Sequence, residues 1–87
     1  MLIIAHELDV VKGKAIMHYY IVNRNATHNP GYHHEVHTEE HADMSGIVDR
    51  INLGWFANEI EAVRYAKTYY YYDADGCATC CPRAHRG

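Results

Sequence analysis

The three cysteines of this 87-residue chain lie within five consecutive positions near its C-terminus. Cys77 and Cys80 form a Cys-x-x-Cys pair, Cys81 follows directly, and His85 comes four residues later. The Cys-x-x-Cys spacing allows two thiolates to bind one tetrahedral zinc ion. We therefore predict a site for a soft metal, with Cys77, Cys80 and His85 as candidate ligands and Cys81 able to replace either Cys80 or His85.

The fourth ligand has to come from another part of the chain, and the histidine-rich segment HHEVHTEEH is the natural donor. The chain has eight histidines, as many as its lysines and arginines combined. Within this segment His37 and His41 are the first candidates, with His33 and His34 behind them. The HEVH sequence places its two histidines one residue too close together for the HExxH motif of a metalloprotease helix, so it does not indicate that chemistry.

Three other interpretations of the cysteines remain open at this stage. Free cysteines are often small buried side chains with no ligand at all. Redox-active Cys-x-x-Cys pairs lie at the start of a helix, where the helix dipole lowers the thiol pKa. Here the pair follows a predicted helix and Pro82 comes directly after Cys81, so the redox interpretation is weaker. A nucleophilic pair of Cys81 with His37 also stays open, because such pairs form in space and not in sequence.

The segment HYYIVN, residues 18–23, predicts a central strand because it is dense in Tyr, Ile and Val and apolar on both faces. Asn29, Pro30 and Gly31 predict a turn, since Pro presets φ and Gly accepts a positive φ. Residues 32–38 then form the return strand of a hairpin.

Alternation along this return strand places His33, Glu35 and His37 on one face. A helix is the competing interpretation, because His33, His37 and His41 would then share one helical stripe. The preceding Pro-Gly turn favours the strand.

Residues 39–46 are polar and predict a loop or a single turn, and residues 47–56 predict a third strand that bends at Gly54. A helix is predicted over residues 59–71, with Asn58 as its N-cap and Glu61 completing a capping box. Its apolar stripe is expected to contain Ile60, Val63, Ala66 and Tyr70.

These elements predict a small α+β domain over residues 17–87. About three antiparallel strands pack on one main helix, and the Cys-rich tail folds back on them. Residues 1–16 are predicted to be a variable N-terminal leader or an extra strand. A domain of this size buries a modest share of its surface, so a metal would add needed stability.

Composition limits the partners and the location. The formal net charge of −3 argues against a nucleic-acid partner, since such proteins usually present a strongly basic face. The N-terminus lacks the basic region of a signal peptide, and no apolar run approaches the length of a membrane span. The expected location is the cytoplasm, where thiols stay reduced.

A run of four tyrosines, residues 69–72, extends around more than half a helical turn. Some of these rings should be core, and others should be exposed and able to contact a partner. We predict a binding surface for another protein that includes His33, His34, Tyr70 and Tyr72, and a homo-oligomer is left open.

The order of the segments YYIVNRNA, HHEVH, LGWF and EAVRYAKTYYYYDADGCATCCPRAH resembles a group of small uncharacterised bacterial proteins. These proteins share the pattern YYxVN, HEVH followed by a cysteine, LGxF, EAVxxAK and ADGCxxCCPxCH, and the likeness covers residues 19–85. The resemblance supplies no activity. It implies that the HEVH segment and the Cys-rich end belong to one site.

The chain departs from the shared pattern at two positions. His41 stands about where the group has the cysteine after HEVH, and Ala84 stands where it has the last cysteine before His85. If both positions hold ligands in the group, this protein has an altered or reduced site. If they form a disulfide in the group, this protein lacks it.

The sequence thus favours a small zinc-stabilised binding or regulatory protein, with zinc in a structural role. The alternatives are an enzyme that uses a Cys–His pair or an open metal site, and a redox or metal sensor. The absence of a recognisable catalytic set in the sequence favours binding over catalysis.

Overall fold

The computed structural model describes residues 10–11, 14–28 and 32–86, and within them the α+β fold class is confirmed. The elements in chain order are β1 (Val10–Val11), β2 (Lys14–Ala15), β3 (His18–Asn23), β4 (Thr27–His28), β5 (Tyr32–His33), β6 (Glu35–Thr38), α1 (Glu39–Met44), β7 (Arg50–Phe56), α2 (Glu59–Tyr69), β8 (Asp75–Gly76) and a terminal 3-10 helix (Pro82–Ala84).

The main sheet has four strands in the order β7-β3-β6-β8. Strand β3 is antiparallel to both β6 and β7. These three strands are the ones that the sequence predicts. The two-residue strand β8 adds a parallel edge next to β6, with Glu35 opposite Asp75 and Val36 opposite Gly76. This fourth strand was not predicted, because two residues carry too little pattern to be recognised.

The bend at Gly54 is confirmed as a bulge in β7. Tyr20 pairs with Gly54 and the next residue, Ile21, pairs with Asn52, so that Leu53 is the extra residue. Gly54 has φ of 111°, a conformation that a side chain disfavours. The strand begins at Arg50, three residues later than predicted.

The histidine-rich segment is a strand in its first part, as predicted, and a helix in its second. Strand β6 ends at Thr38, whose hydroxyl accepts a hydrogen bond from the His41 amide and caps α1. The segment 39–46, predicted as a loop or a single turn, is therefore largely a six-residue helix. Thr38 followed by Glu39 and Glu40 is a start signal that the sequence analysis missed. The predicted turn at residues 29–31 lies outside the described residues.

The core lies between the sheet and α2. Its buried residues include Tyr20, Val22, Val36, Leu53, Ala62, Val63, Ala66, Ala74, Cys81 and Ala84. The Asn58 side chain accepts a hydrogen bond from the Glu61 amide at 3.0 Å, which confirms the predicted cap.

Helix α2 ends at Tyr69 and not at residue 71, because the amides of Tyr70 and Tyr71 both bond to the Ala66 carbonyl. Of the predicted apolar stripe, Val63 and Ala66 are buried, whereas Ile60 and Tyr70 are exposed. The buried face is shifted toward the small residues, which allow the helix to approach the sheet.

The Cys-rich tail folds back on the sheet as predicted. Strand β8 pairs with β6, and the terminal 3-10 helix packs against α2 and β8. Gly76 permits this approach, since a Cβ there would lie 2.7 Å from the Cys81 carbonyl oxygen and 2.9 Å from Ala84. The tail is therefore in contact with the backbone of β8.

Of the predicted leader, the structure describes β1 and β2, which pair with each other as a separate two-stranded sheet. Residues 1–9 lie outside the described part, so the domain division at residue 16 stays a prediction. None of the helices in the described part is long and apolar enough to cross a membrane.

Candidate metal centre

Four of the predicted ligands come together at one place in the fold. They are His37, His41, Cys77 and Cys80, and one ligand atom from each lies within 4.8 Å of those of the other three. His37 and Cys77 are buried, and the other two are partly exposed. The group joins two segments that lie far apart in the sequence.

The two histidines are positioned by the junction of β6 and α1. His37 is on β6 and is 4% exposed, while His41 is in the first turn of α1. Thr38, which lies between the two histidines in sequence, is the N-cap of α1. The chain turns from strand to helix at this residue, and the turn brings both imidazoles to the same side. Their ring centres are 5.5 Å apart.

The two cysteines are positioned by the end of β8. The Cys77 amide donates to the Val36 carbonyl at 3.0 Å, which places Cys77 beside β6. The Cys81 amide donates to the Cys77 carbonyl at 2.8 Å and closes a tight turn. This turn returns Cys80 to the histidines, so the Cys-x-x-Cys spacing gives the geometry that the sequence predicts.

The distances between sulfur and nitrogen fit a tetrahedral ion. A zinc ion with ordinary bond lengths separates a sulfur ligand from a nitrogen ligand by about 3.5 Å. The Cys77 Sγ and His41 Nδ1 atoms are 3.7 Å apart, and the Cys80 Sγ and His37 Nδ1 atoms are 3.8 Å apart. The residues present therefore fit a His₂Cys₂ metal site.

Hydrogen bonds favour a thiolate at Cys80. The neighbouring Cys81 thiol lowers the pKa of Cys80 most, and the His37 ring and the Thr38 amide lower it further against the effect of burial. The same contact with Cys80, together with burial, raises the pKa of Cys81. Of Cys80 and Cys81, Cys80 is therefore the residue suited to bind a metal, because metal ions bind the thiolate form of cysteine.

Cys77 has a different balance. Burial raises the pKa of its thiol, while hydrogen bonds from the Cys80 and Thr79 amides lower it. Amides that point at the sulfur stabilise a thiolate, and a bound cation would supply the remaining stabilisation.

The outer nitrogens of both histidines face polar groups. His37 Nε2 is buried without a hydrogen bond, and the nearest carboxylate oxygen, Glu35 Oε1, is 3.6 Å away. His41 Nε2 lies 3.5 Å from the Ser45 hydroxyl. A metal-binding histidine usually directs its second ring nitrogen to a carboxylate or another acceptor, which sets its tautomer and orientation.

The sequence analysis did not assign this role to Glu35. The signal was present, because the alternation along the strand places Glu35 and His37 on one face, as the structure confirms. The pattern could not indicate that both side chains are buried, with the Glu35 carboxylate 3.6 Å from the outer nitrogen of the His37 ring.

We expect Glu35→Gln to weaken metal binding about 10-fold to 100-fold, since loss of a carboxylate behind a histidine ligand has effects of this size. The measurement is a metal-competition titration with a chromophoric chelator. Glu40→Gln is the matched control, because Glu40 is exposed and the charge change is the same. Equal affinities for the two variants would contradict an orienting role for Glu35.

Cys81 and His85, the other predicted ligands, lie outside the group of four. Cys81 is fully buried in the core, with its Sγ 3.8 Å from that of Cys80. His85 Nδ1 lies 2.9 Å from the Gly76 carbonyl oxygen and 3.4 Å from an Asp75 carboxylate oxygen. These contacts give Cys81 a packing role and let His85 hold the tail against β8.

The predicted binding residues are divided by their exposure. Tyr70 and Tyr72 are 44% and 89% exposed, as an interaction surface requires. His34 stacks on Tyr71 with ring centres 3.6 Å apart, and its Nδ1 lies 2.8 Å from Asp73.

His33, by contrast, is buried, with Nε2 3.7 Å from oxygens of Glu35 and Asp75. Its ring faces these two carboxylates, which argues against direct contact with a partner, and the place of His33 in a binding surface stays a prediction. Alternation along the strand indicated which face His33 is on. It could not indicate that β8 covers this side chain, because that depends on the tail folding back.

The redox interpretation gains no support from a helix dipole. The Cys-x-x-Cys pair follows β8, and the helix that comes next begins only at Pro82. Neither Cys77 nor Cys80 therefore lies at the start of a regular helix.

Comparison with protein-family models, with curated proteins and with solved structures finds no match to the chain. The function is therefore inferred from the site itself, a His₂Cys₂ group in a small α+β domain.

Proposed function

We propose that this chain is a small zinc-stabilised binding or regulatory protein. The observation that carries the proposal is the convergence of His37, His41, Cys77 and Cys80, with their ligand atoms within 4.8 Å of one another. A bound ion would connect the β6–α1 junction to the turn after β8. Its role is structural, because it would join two segments that the sequence separates.

Zinc is the metal that this donor set favours. Two thiolates and two imidazoles in a tetrahedral arrangement are the ligands of structural zinc sites. When bound, such an ion contributes to the free energy of folding directly. The likeness to the bacterial proteins with HEVH and ADGCxxCCPxCH segments agrees with this proposal, since it implies one site made from both segments.

Four protein ligands favour a structural site over a catalytic one. Catalytic zinc sites usually have three protein ligands and keep one position for water or substrate. The alternative nucleophile, Cys81, is fully buried, so a substrate would not reach its sulfur. The arrangement thus supports binding more than catalysis.

The partner that we propose is another protein. Trp55, Tyr69 and Tyr72 are each more than 60% exposed, and Tyr70 is 44% exposed. Large aromatic side chains are enriched at the centres of protein interfaces and carry much of their binding energy. The exposed tyrosines at the end of α2 are therefore the surface on which we expect a partner to bind, whereas Trp55 packs on Tyr19 elsewhere on the sheet.

The experiment that tests the metal assignment is native mass spectrometry with elemental analysis, on protein purified without chelators or metal-affinity tags. We expect one zinc per chain in the wild type and in Cys81→Ala, and none in Cys77→Ser. Cys81→Ala is the matched control, because it removes a thiol next to the site but outside the group of four.

Two outcomes would overturn the assignment. Metal-free wild-type protein with three titratable thiols would exclude a resident zinc. Loss of the metal in Cys81→Ala but not in Cys77→Ser would show that a different set of ligands holds it.

A further inference from the structure

A cavity of about 380 Å³ lies between α2 and the terminal 3-10 helix, in a part of the molecule that the metal centre does not use. The residues that line it include Ile60, Val63, Arg64, Lys67, Arg83 and Arg86. Its volume is in the range of sites for small molecules. The lining combines an apolar floor with four cationic side chains.

The concentration of positive charge is unusual for this chain. The protein has eight lysines and arginines in total and a net charge of −3, yet four of these cations line one cavity. Arg64 and Lys67 lie three residues apart on α2 and so share one face of the helix. Arg83 and Arg86 reach the same space from the tail.

Two of the cations are partly neutralised. Arg83 Nε donates to the Glu59 carboxylate at 2.7 Å, and Glu59 is 8% exposed, so this pair fixes the guanidinium at the edge of the cavity. Arg64 donates to Glu61 at 3.0 Å on the exposed surface, where ion pairs contribute little and exchange easily. The Arg64 side chain can therefore turn to a ligand.

The other two cations have no such partner. Neither Lys67 nor Arg86 forms an ion pair with a carboxylate in residues 10–11, 14–28 or 32–86. The backbone amide of Arg86 bonds to the Asp75 carboxylate at 2.9 Å, which holds this part of the tail beside the cavity. Asp73 and Asp75 line a neighbouring cavity together with Lys67 and Arg86, but neither carboxylate forms an ion pair with these two side chains. Two positive charges are thus placed at one concave surface without a direct ion pair among the described residues.

We propose that this cavity binds a small phosphorylated molecule with an apolar or aromatic body, such as a nucleoside diphosphate. Arginine and lysine are the side chains that bind phosphate oxygens, arginine with two parallel hydrogen bonds. The phosphates lie between the α2 cations and the tail arginines, and the body of the molecule lies on Ile60 and Val63.

The size of the cavity also bears on the kind of ligand. A concave site of this volume fits a small molecule and not an extended nucleic-acid strand, whose binding grooves follow the backbone over several nucleotides. The cavity shares none of its lining residues with the group of four ligands. This proposal is therefore independent of the metal assignment.

The test is isothermal titration of the metal-loaded full chain with adenosine diphosphate, inorganic pyrophosphate and adenosine. We expect the diphosphate to bind most tightly, pyrophosphate to bind more weakly and adenosine not to bind. Lys67→Gln and Arg86→Gln should each lower the affinity for the diphosphate about tenfold, as loss of one hydrogen bond from a charged group predicts.

Arg24→Gln is the matched control, because Arg24 is exposed, pairs with Asp49 and does not line the cavity. The metal content of the protein is measured after each titration. A loss of metal would show that the phosphate compound had bound metal released from the protein. The proposal is overturned if neither phosphate compound binds, if adenosine binds as well as its diphosphate, or if Arg24→Gln weakens binding as much as Lys67→Gln.

Discussion

Removal of the metal is expected to unfold the protein. Structural zinc in finger peptides contributes an apparent free energy of about 10–16 kcal/mol to the folded state, and a whole domain is stable by only about 5–15 kcal/mol. The core of this chain is small, and its helix packs largely through the short side chains Ala62 and Ala66. Without an ion, the turn after β8 keeps its backbone bond from the Cys77 amide to the Val36 carbonyl but has no link to His41.

The measurement is circular dichroism during thermal unfolding, with and without a strong chelator. The treated protein should lose its cooperative transition, and zinc added back in excess should restore it. Cys77→Ser should behave like the chelated wild type even with zinc present. Cys81→Ala should keep a zinc-dependent transition, shifted to lower temperature because a buried group is removed from the core. A chelated wild type with an unchanged melting temperature would contradict the structural role.

Substitution of Gly76 is expected to have the second largest effect. A Cβ at this position would lie 2.7 Å from the Cys81 carbonyl oxygen and 2.9 Å from Ala84, closer than packed atoms approach. Backbone has to move to accommodate it, and overpacking of this kind costs about 1–3 kcal/mol. Because Cys77 is the next residue, we expect Gly76→Ala to lower both the free energy of unfolding and the affinity for the metal.

Gly46→Ala separates these two effects. Gly46 has φ of 72°, and a Cβ added there would meet no atom within 4 Å, so alanine introduces backbone strain but no contact. Urea denaturation should show that both variants are destabilised, and metal competition should show weaker binding only for Gly76→Ala. If Gly76→Ala keeps wild-type metal affinity, the close contact between the tail and β8 does not position Cys77.

Position 41 is informative for the same site. The structure places His41 Nδ1 3.7 Å from the Cys77 sulfur, so an imidazole here is at the distance of a ligand. Ala84 is buried in the core against Gly76 and lies outside the group of four.

Features that depend on neighbouring residues could be predicted from the sequence alone. The density of Tyr, Ile and Val in residues 18–23 specifies a strand, Asn58 specifies the start of α2, and Gly54 marks the bulge. The Cys-x-x-Cys spacing identified half of the metal group, because two thiolates that close together can reach the same ion without help from the rest of the fold.

Which distant groups meet is a property of the tertiary fold. The selection of His37 and His41 depends on the parallel pairing of β8 with β6, which no local pattern encodes. The same pairing buries Cys81 in the core and brings Arg83 and Arg86 to α2. Contacts between distant residues form only when the whole chain folds around one core. The entropy cost of closing the long loop between them has to be offset by the rest of the fold, which local sequence does not reveal.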